Sequence, residues 1–177
     1  QTVIYRAGDT YKENASKTLY AVWEKVENPA INEKMPTLFV SDVASNVGST
    51  VTVDISIKNN PGITAFSFAV DYPTEVMTLK NVEYKTLFSS KATGSKDMES
   101  PYIISWFSPS SEDEANNGVI ATLTFEIKEN VTAGNYEINL SYDENNIFNS
   151  AYTNIAFVVE NGVVTVSNNI AGDVNND

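Results

Sequence analysis

The chain contains neither cysteine nor histidine in its 177 residues. That removes disulfides, thiolate nucleophiles, zinc fingers, Ser-His-Asp triads and histidine-ligated metals together. Positive charge is also scarce: 11 Lys+Arg stand against 23 Asp+Glu, a formal net charge of -12. Nucleic acid is not an expected partner, because binding it depends on Lys and Arg neutralising phosphates and releasing counterions. Long apolar runs are missing. No stretch approaches the roughly 18–20 residues of a membrane span, and the first residues carry no basic-then-apolar signal pattern. What is present is a folding composition, with 42% hydrophobic and 19% charged residues. At this length roughly 70% of the unfolded surface can be buried, enough for one domain with an appendage.

Helix signals are nearly absent from the main body, which alternates Val, Ile, Thr and Phe with period two between Gly, Pro and Asn clusters. The alternation predicts strands over residues 37–43, 50–58, 63–72, 77–84, 102–107, 118–128, 135–142, 154–159 and 163–166. So many strands cannot bury both faces in one flat sheet, and two packed sheets sharing a core are expected: an all-β sandwich. Parity assigns the faces. Phe66, Phe68, Val70 and Tyr72 point inward, and Ala65, Ser67, Ala69 and Asp71 outward. In residues 118–128, Val119, Ala121, Leu123, Phe125 and Ile127 form the inward set, which leaves Ile120, Thr122, Thr124 and Glu126 outside. The segment "KTLFSSKATGSKDMES" after Tyr84 reads as a polar surface loop with little to give the core.

Both flanks differ from the body. Residues 1–25 hold two short apolar stretches, "TVIYRAG" and "TLYAVWEK", and read as a small β hairpin too slight to stand alone in water. Residues 26–35, with proline and charge and no periodicity, read as a linker. The main domain is expected over 36–168, followed at 169–177 by a polar tail.

Four phrases in register carry a family resemblance: "VGSTVTVDISIKN" (47–59), "GITAFSFAVDYP" (62–73), "GVIATLTFEIKENVTAGNYEINL" (118–140) and "NGVVTV" (161–166). In their order and spacing the chain resembles a cohesin, the receptor module of cellulosome scaffoldins. One departure is the sequence Tyr72-Pro73-Thr74, where the family often has Tyr-Asp-Pro. The resemblance implies a nine-stranded jelly-roll sandwich that performs no chemistry, needs no cofactor of its own and binds a calcium-loaded dockerin. The implied contact is one sheet, built from the family's strands 8, 3, 6 and 5. Carried over by position, the recognition face comprises Ala65, Ser67, Ala69 and Asp71 on one strand, and Ile120, Thr122 and Thr124 on residues 118–128 taken as strand 6. Ile103, Ser105 and Phe107 come from residues 102–107 taken as strand 5, with Tyr152 as a looser match. Such a weakly charged, partly apolar face suits a partner, with Ile120 and Phe107 as expected hot spots and Asp71 and Ser67 setting orientation.

The flanks carry resemblances of their own. "YRAGDTY" and "TLYAVWE" look like the closing half of a Listeria-Bacteroides surface repeat. The ending "GDVNND" looks like the opening of a dockerin calcium loop, with Asp173, Asn175 and Asp177 at alternate positions. Three such oxygens are too few for a calcium site, so no metal is assigned to the chain. A parent with its own dockerin would be an adaptor scaffoldin, and the protein is expected to be secreted or at the surface of an anaerobic bacterium, a monomer when free, with no membrane insertion.

A carbohydrate-binding jelly roll is the alternative, because that fold also binds sugars on a sheet face with exposed aromatic rings. Trp106, Tyr102 and Tyr152 are the candidates for such a platform, and parity turns Tyr102 and Trp106 inward. An enzyme is not expected, since no pattern nominates a carboxylate pair. The run Glu112-Asp113-Glu114 reads as a solvated loop, because consecutive side chains rarely converge on one ion.

Overall fold

The structure is a computed structural model and describes residues 35–168. The expected hairpin at 1–25, nearly all of the expected linker, and the acidic tail with Asp173, Asn175 and Asp177 lie outside the described residues. Alternation wins along most of the chain. Among the described residues eleven strands form: β1 Thr37–Val40, β2 Val43–Asn46, β3 Thr50–Lys58, β4 Ala65–Asp71, β5 Met77–Tyr84, β6 Thr93–Gly94, β7 Tyr102–Phe107, β8 Gly118–Ile127, β9 Gly134–Ser141, β10 Val158–Glu160 and β11 Gly162–Ser167. They build two sheets with the orders β10-β1-β3-β8-β5 and β2-β11-β9-β4-β7-β6. The inward residues of both sheets meet in one core, as a sandwich requires.

Three expectations are corrected here. The first strand is two: β1 pairs in the first sheet with β3 and β10, and two residues later β2 crosses to pair with β11 in the second. The strand expected at 154–159 is mostly irregular, and its end alone enters β10. Both β1·β10 and β2·β11 are parallel, whereas the pairs between them are antiparallel. The loop after Tyr84 also gives more to the core than its polarity suggested. Phe88 and Ala92 are buried, and the Phe88 ring lies 4.5 Å from the Trp106 ring in a stacked arrangement. The same loop forms β6, which pairs with β7 as the last strand of the second sheet.

Glycine is required in β6. A Cβ on Gly94 would land on the hydroxyls of Tyr84 and Tyr102, which hydrogen-bond to each other at 2.8 Å beneath it. Burial, and then the Tyr102 hydroxyl, push the Tyr84 phenol well above its usual pKa.

Asn60 performs a comparable service between β3 and β4. Its buried amide donates to the carbonyls of Glu114 and Asn116, and its Oδ1 accepts from the Gly62 N–H. The loop carrying Glu112-Asp113-Glu114 is thereby fixed to the entry of β4, and Ile63 and Glu114 exchange backbone hydrogen bonds as well.

Candidate functional site

Parity held where the strands are regular. On β4, Phe66, Phe68, Val70 and the following Tyr72 are buried, while Ala65, Ser67, Ala69 and Asp71 are half-buried and outward. On β7, Tyr102, Ile104 and Trp106 are buried, and Ile103, Ser105 and Phe107 face out. Because β4 and β7 are antiparallel neighbours, these two sets meet in rows: Ala65 opposite Phe107, Ser67 opposite Ser105, Ala69 opposite Ile103. The rows extend sideways. Ser141 of β9 stands opposite Ala69, Asn139 opposite Asp71, and Thr93 of β6 opposite Ser105. The Ser67 and Ser105 hydroxyls hydrogen-bond to each other at 2.8 Å, leaving a flat, nearly neutral centre.

Ile120, Thr122 and Thr124 do not join this face. Their strand, β8, lies in the opposite sheet between β3 and β5. Counting explains the misplacement: the two-residue β6 is absent from the expected strands, so every strand after it is counted one place too early, and β7, not β8, flanks β4. Ile120 is not even outward. Ile55 pairs with Ala121 and Ser56 with Val119, so Ile120 is the extra residue of a β-bulge. The bulge reverses parity at that point, and Ile120 is 1% exposed beside a fully buried Ala121. Thr122 and Thr124 do face out from the first sheet, and the Thr122 hydroxyl donates to Asp54 at 2.6 Å.

The two outer faces differ in charge. Strands of the first sheet carry Asp54, Lys58, Lys80, Glu83, Glu126 and Glu160, with ion pairs Lys58–Glu160 at 2.9 Å and Lys80–Glu126 at 2.6 Å. Strands of the second carry only Asp71 and Glu137, and no Lys or Arg. A wide, lysine-free sheet face is what solvent-facing sheets ordinarily avoid, since charge protects them from association.

At one end of the face the relief changes. Phe107 is 73% exposed and Tyr152 86% exposed, the latter at a positive φ of 58°. Tyr152 stacks on Phe148, whose backbone bridges to Ala65 on the flank of β4 opposite to Phe107. Asp113 holds this loop. Its Oδ1 accepts from the Thr64 hydroxyl at 2.7 Å and the Ser150 N–H at 2.6 Å, and its Oδ2 from the Ser150 hydroxyl at 3.0 Å. These bonds, the Thr64 hydroxyl first, hold the Asp113 carboxyl below the usual carboxylate range. The acidic run is therefore not simply solvated: Asp113 ties a loop, and Glu114 accepts from the Ser89 N–H. Among the described residues no cluster of acidic side chains has the makings of a metal site.

Sequence reasoning missed Phe148 and the role of Asp113. "NIFNS" offers no alternation around Phe148, and a contact from Asp113 to Ser150 has no local trace in the sequence. The platform expected for sugar binding from Trp106, Tyr102 and Tyr152 is not assembled, because Tyr102 and Trp106 are in the core and the Trp106 indole N–H donates to Ser90.

No curated relative matches the sequence. Solved structures do. The seventh type I cohesin of the scaffoldin ScaB from Pseudobacteroides cellulosolvens gives a TM-score of 0.68 at 21% identity, covering 81% of this chain and 99% of that one. The cohesin CaCohA2 of Clostridium acetobutylicum gives 0.64 at 22% identity, over 76% of this chain and 92% of that one. A type I cohesin–dockerin complex from Clostridium thermocellum gives 0.66 at 15% identity, over 75% and 99%. These likenesses establish the fold. The sequence itself matches the family model described as the cohesin domain across residues 36–166, and the chain belongs to the cohesin domain family.

Proposed function

We propose that this chain is a non-catalytic receptor that captures a dockerin-bearing protein on the outer face of its second sheet. The observation that carries the reading is the contrast between the two faces: one studded with paired Lys and Glu, the other built from Ala, Ser, Asn, Ile and Phe with no Lys or Arg. A related fold was solved as a cohesin–dockerin complex, which supports the same reading. A pre-formed sheet loses little entropy on binding, so helices laid across it gain from contacts that need no rearrangement. With Asp71 and Glu137 as its charges, the face favours a neutral or basic partner surface. Calcium belongs to the partner. The setting is a secreted or cell-surface assembly of the cellulosome type in an anaerobic bacterium, and the ending "GDVNND" fits a parent that carries a dockerin of its own.

The test is titration calorimetry of the chain against a panel of calcium-loaded dockerins, with and without chelator, and with soluble cellulose, xylan and starch fragments in parallel. Chelator-sensitive binding of a dockerin is the expected result. Ala69→Trp, which places a large side chain in the middle row, is expected to weaken it at least tenfold, about 1.4 kcal/mol. Thr124→Trp on the opposite sheet is expected to leave it unchanged. Equal effects of the two, or glycan binding with silent dockerins, would remove the reading.

A further inference from the structure

We propose that Phe107, Phe148 and Tyr152 form a pocket at the end of the docking face that takes one large aliphatic side chain of the bound dockerin, and that Asp113 is the residue positioning it. This rests on the dockerin-binding reading above and adds to it a site of defined chemistry.

The pocket follows from strand register. Residues directly opposite one another in a sheet share a face, and Ala65 has Phe107 opposite on one side and Phe148 on the other. A methyl group between two phenyl rings leaves a notch. Tyr152 deepens it, with its ring stacked on Phe148 at a centroid distance of 6.1 Å and an interplanar angle of 20°. The resulting cavity of about 260 Å³ has no Asp, Glu, Lys or Arg in its lining. A charged occupant would lose its hydration without gaining a partner, whereas a Leu-, Ile- or Met-sized side chain gains by burial. The cavity is continuous with the row of Ala65 and Phe107, since both residues line it.

Tyr152 stands in the left-handed region, unfavourable for a bulky aromatic residue, and such conformations persist where the surroundings over-determine them. Here they do. The Asn149 side-chain oxygen accepts from the N–H groups of Ala151 and Thr153, and the Tyr152 N–H donates to the Asn149 carbonyl. Asp113 then fastens the loop to the start of β4 through Ser150 and Thr64. The backbone that carries the exposed ring is thus held before a partner arrives, which lowers the ordering cost of binding.

The experiment takes the full chain and the tightest-binding member of the dockerin panel. Phe107→Ala and Tyr152→Ala are each expected to lower affinity about tenfold or more with unchanged melting temperature. Asp113→Ala is expected to lower affinity severalfold and to abolish the ring-to-ring nuclear Overhauser effect between Phe148 and Tyr152 in the free protein. Asp113→Asn, which keeps an oxygen acceptor, is expected to restore most of both. On the partner, alanine substitution of the seated aliphatic residue should cost as much as Phe107→Ala, and the two losses should not add. If a dockerin binds and Phe107→Ala and Tyr152→Ala stay within twofold of wild type, the pocket is refuted while the function stands. If no dockerin binds the wild type, both fall. A glycan lost on Tyr152→Ala would assign the rings to sugar and overturn the proposal.

Discussion

Ile120→Ala separates the two sheets as experimental objects. Its side chain is 1% exposed at the β8 bulge, so truncation removes three buried carbons. At about 0.8 kcal/mol per carbon the transfer loss is about 2.4 kcal/mol, and the residual cavity raises the total to about 3–4 kcal/mol. Ile120→Val removes one carbon, with an expected loss of about 1 kcal/mol. The measurement is urea unfolding followed by intrinsic fluorescence, with the slope expected to be unchanged and the midpoint to fall in proportion. The melting temperature should drop by roughly 10 °C for the alanine variant. At a temperature where the variant is still folded, its affinity for a dockerin should equal that of the wild type, because Ile120 is on the sheet that faces away. Ile120→Asp, which adds a buried unpaired carboxylate, is expected to prevent folding altogether. An Ile120→Ala chain with unaltered stability and lost binding would mean that parity is not reversed by the bulge and that the face assignment is wrong.

The loop after Tyr84 makes a second prediction. Phe88 is buried against Phe66 and Trp106, and Phe88→Ala is expected to cost about 3–5 kcal/mol, read by the same unfolding assay. A cost below about 1 kcal/mol would return the loop to solvent. A third concerns pH. The raised Tyr84 phenol stays protonated in the folded chain above the usual tyrosine pKa of about 10, while the unfolded chain ionises there first. Its contribution to stability is therefore complete below about pH 10 and lost as the pH rises above it, a loss moderated by the half-exposed position of the phenol. Tyr72, raised first by burial and then by the charge of Glu99, acts in the same direction. Tyr84→Phe should flatten the fall measured by denaturation between pH 9 and 11.

The sandwich, and the faces of β4 and β7, were legible because uninterrupted alternation needs only local sterics and one buried side. Ala65, Ser67, Ala69, Asp71, Ile103, Ser105 and Phe107 were placed outward for that reason, and the structure brings them onto one face. A bulge is a non-local event. Whether residues 118–128 keep parity depends on how β3 pairs with them, and nothing in "GVIATL" records that Ile55 will meet Ala121 rather than Ile120. Strand order had the same weakness. Two residues of β6 sit in a Ser- and Lys-rich loop with no alternation to show, and without them the count assigned β8 to the wrong sheet. The aromatic end of the face depends on contacts between Asp113 and Ser150, 37 positions apart, which no period carries.

The parallel pairs β1·β10 and β2·β11 have a mechanical consequence. Because residues 37–46 and 158–167 run in the same direction, the chain enters the sandwich at one end and leaves at the other. Tension applied between those points acts along the strands, across their hydrogen bonds. Each short ladder is then sheared, all its bonds loaded at once, rather than peeled open one bond at a time. A domain pulled from these two points would hold its shape under load and keep the second sheet flat.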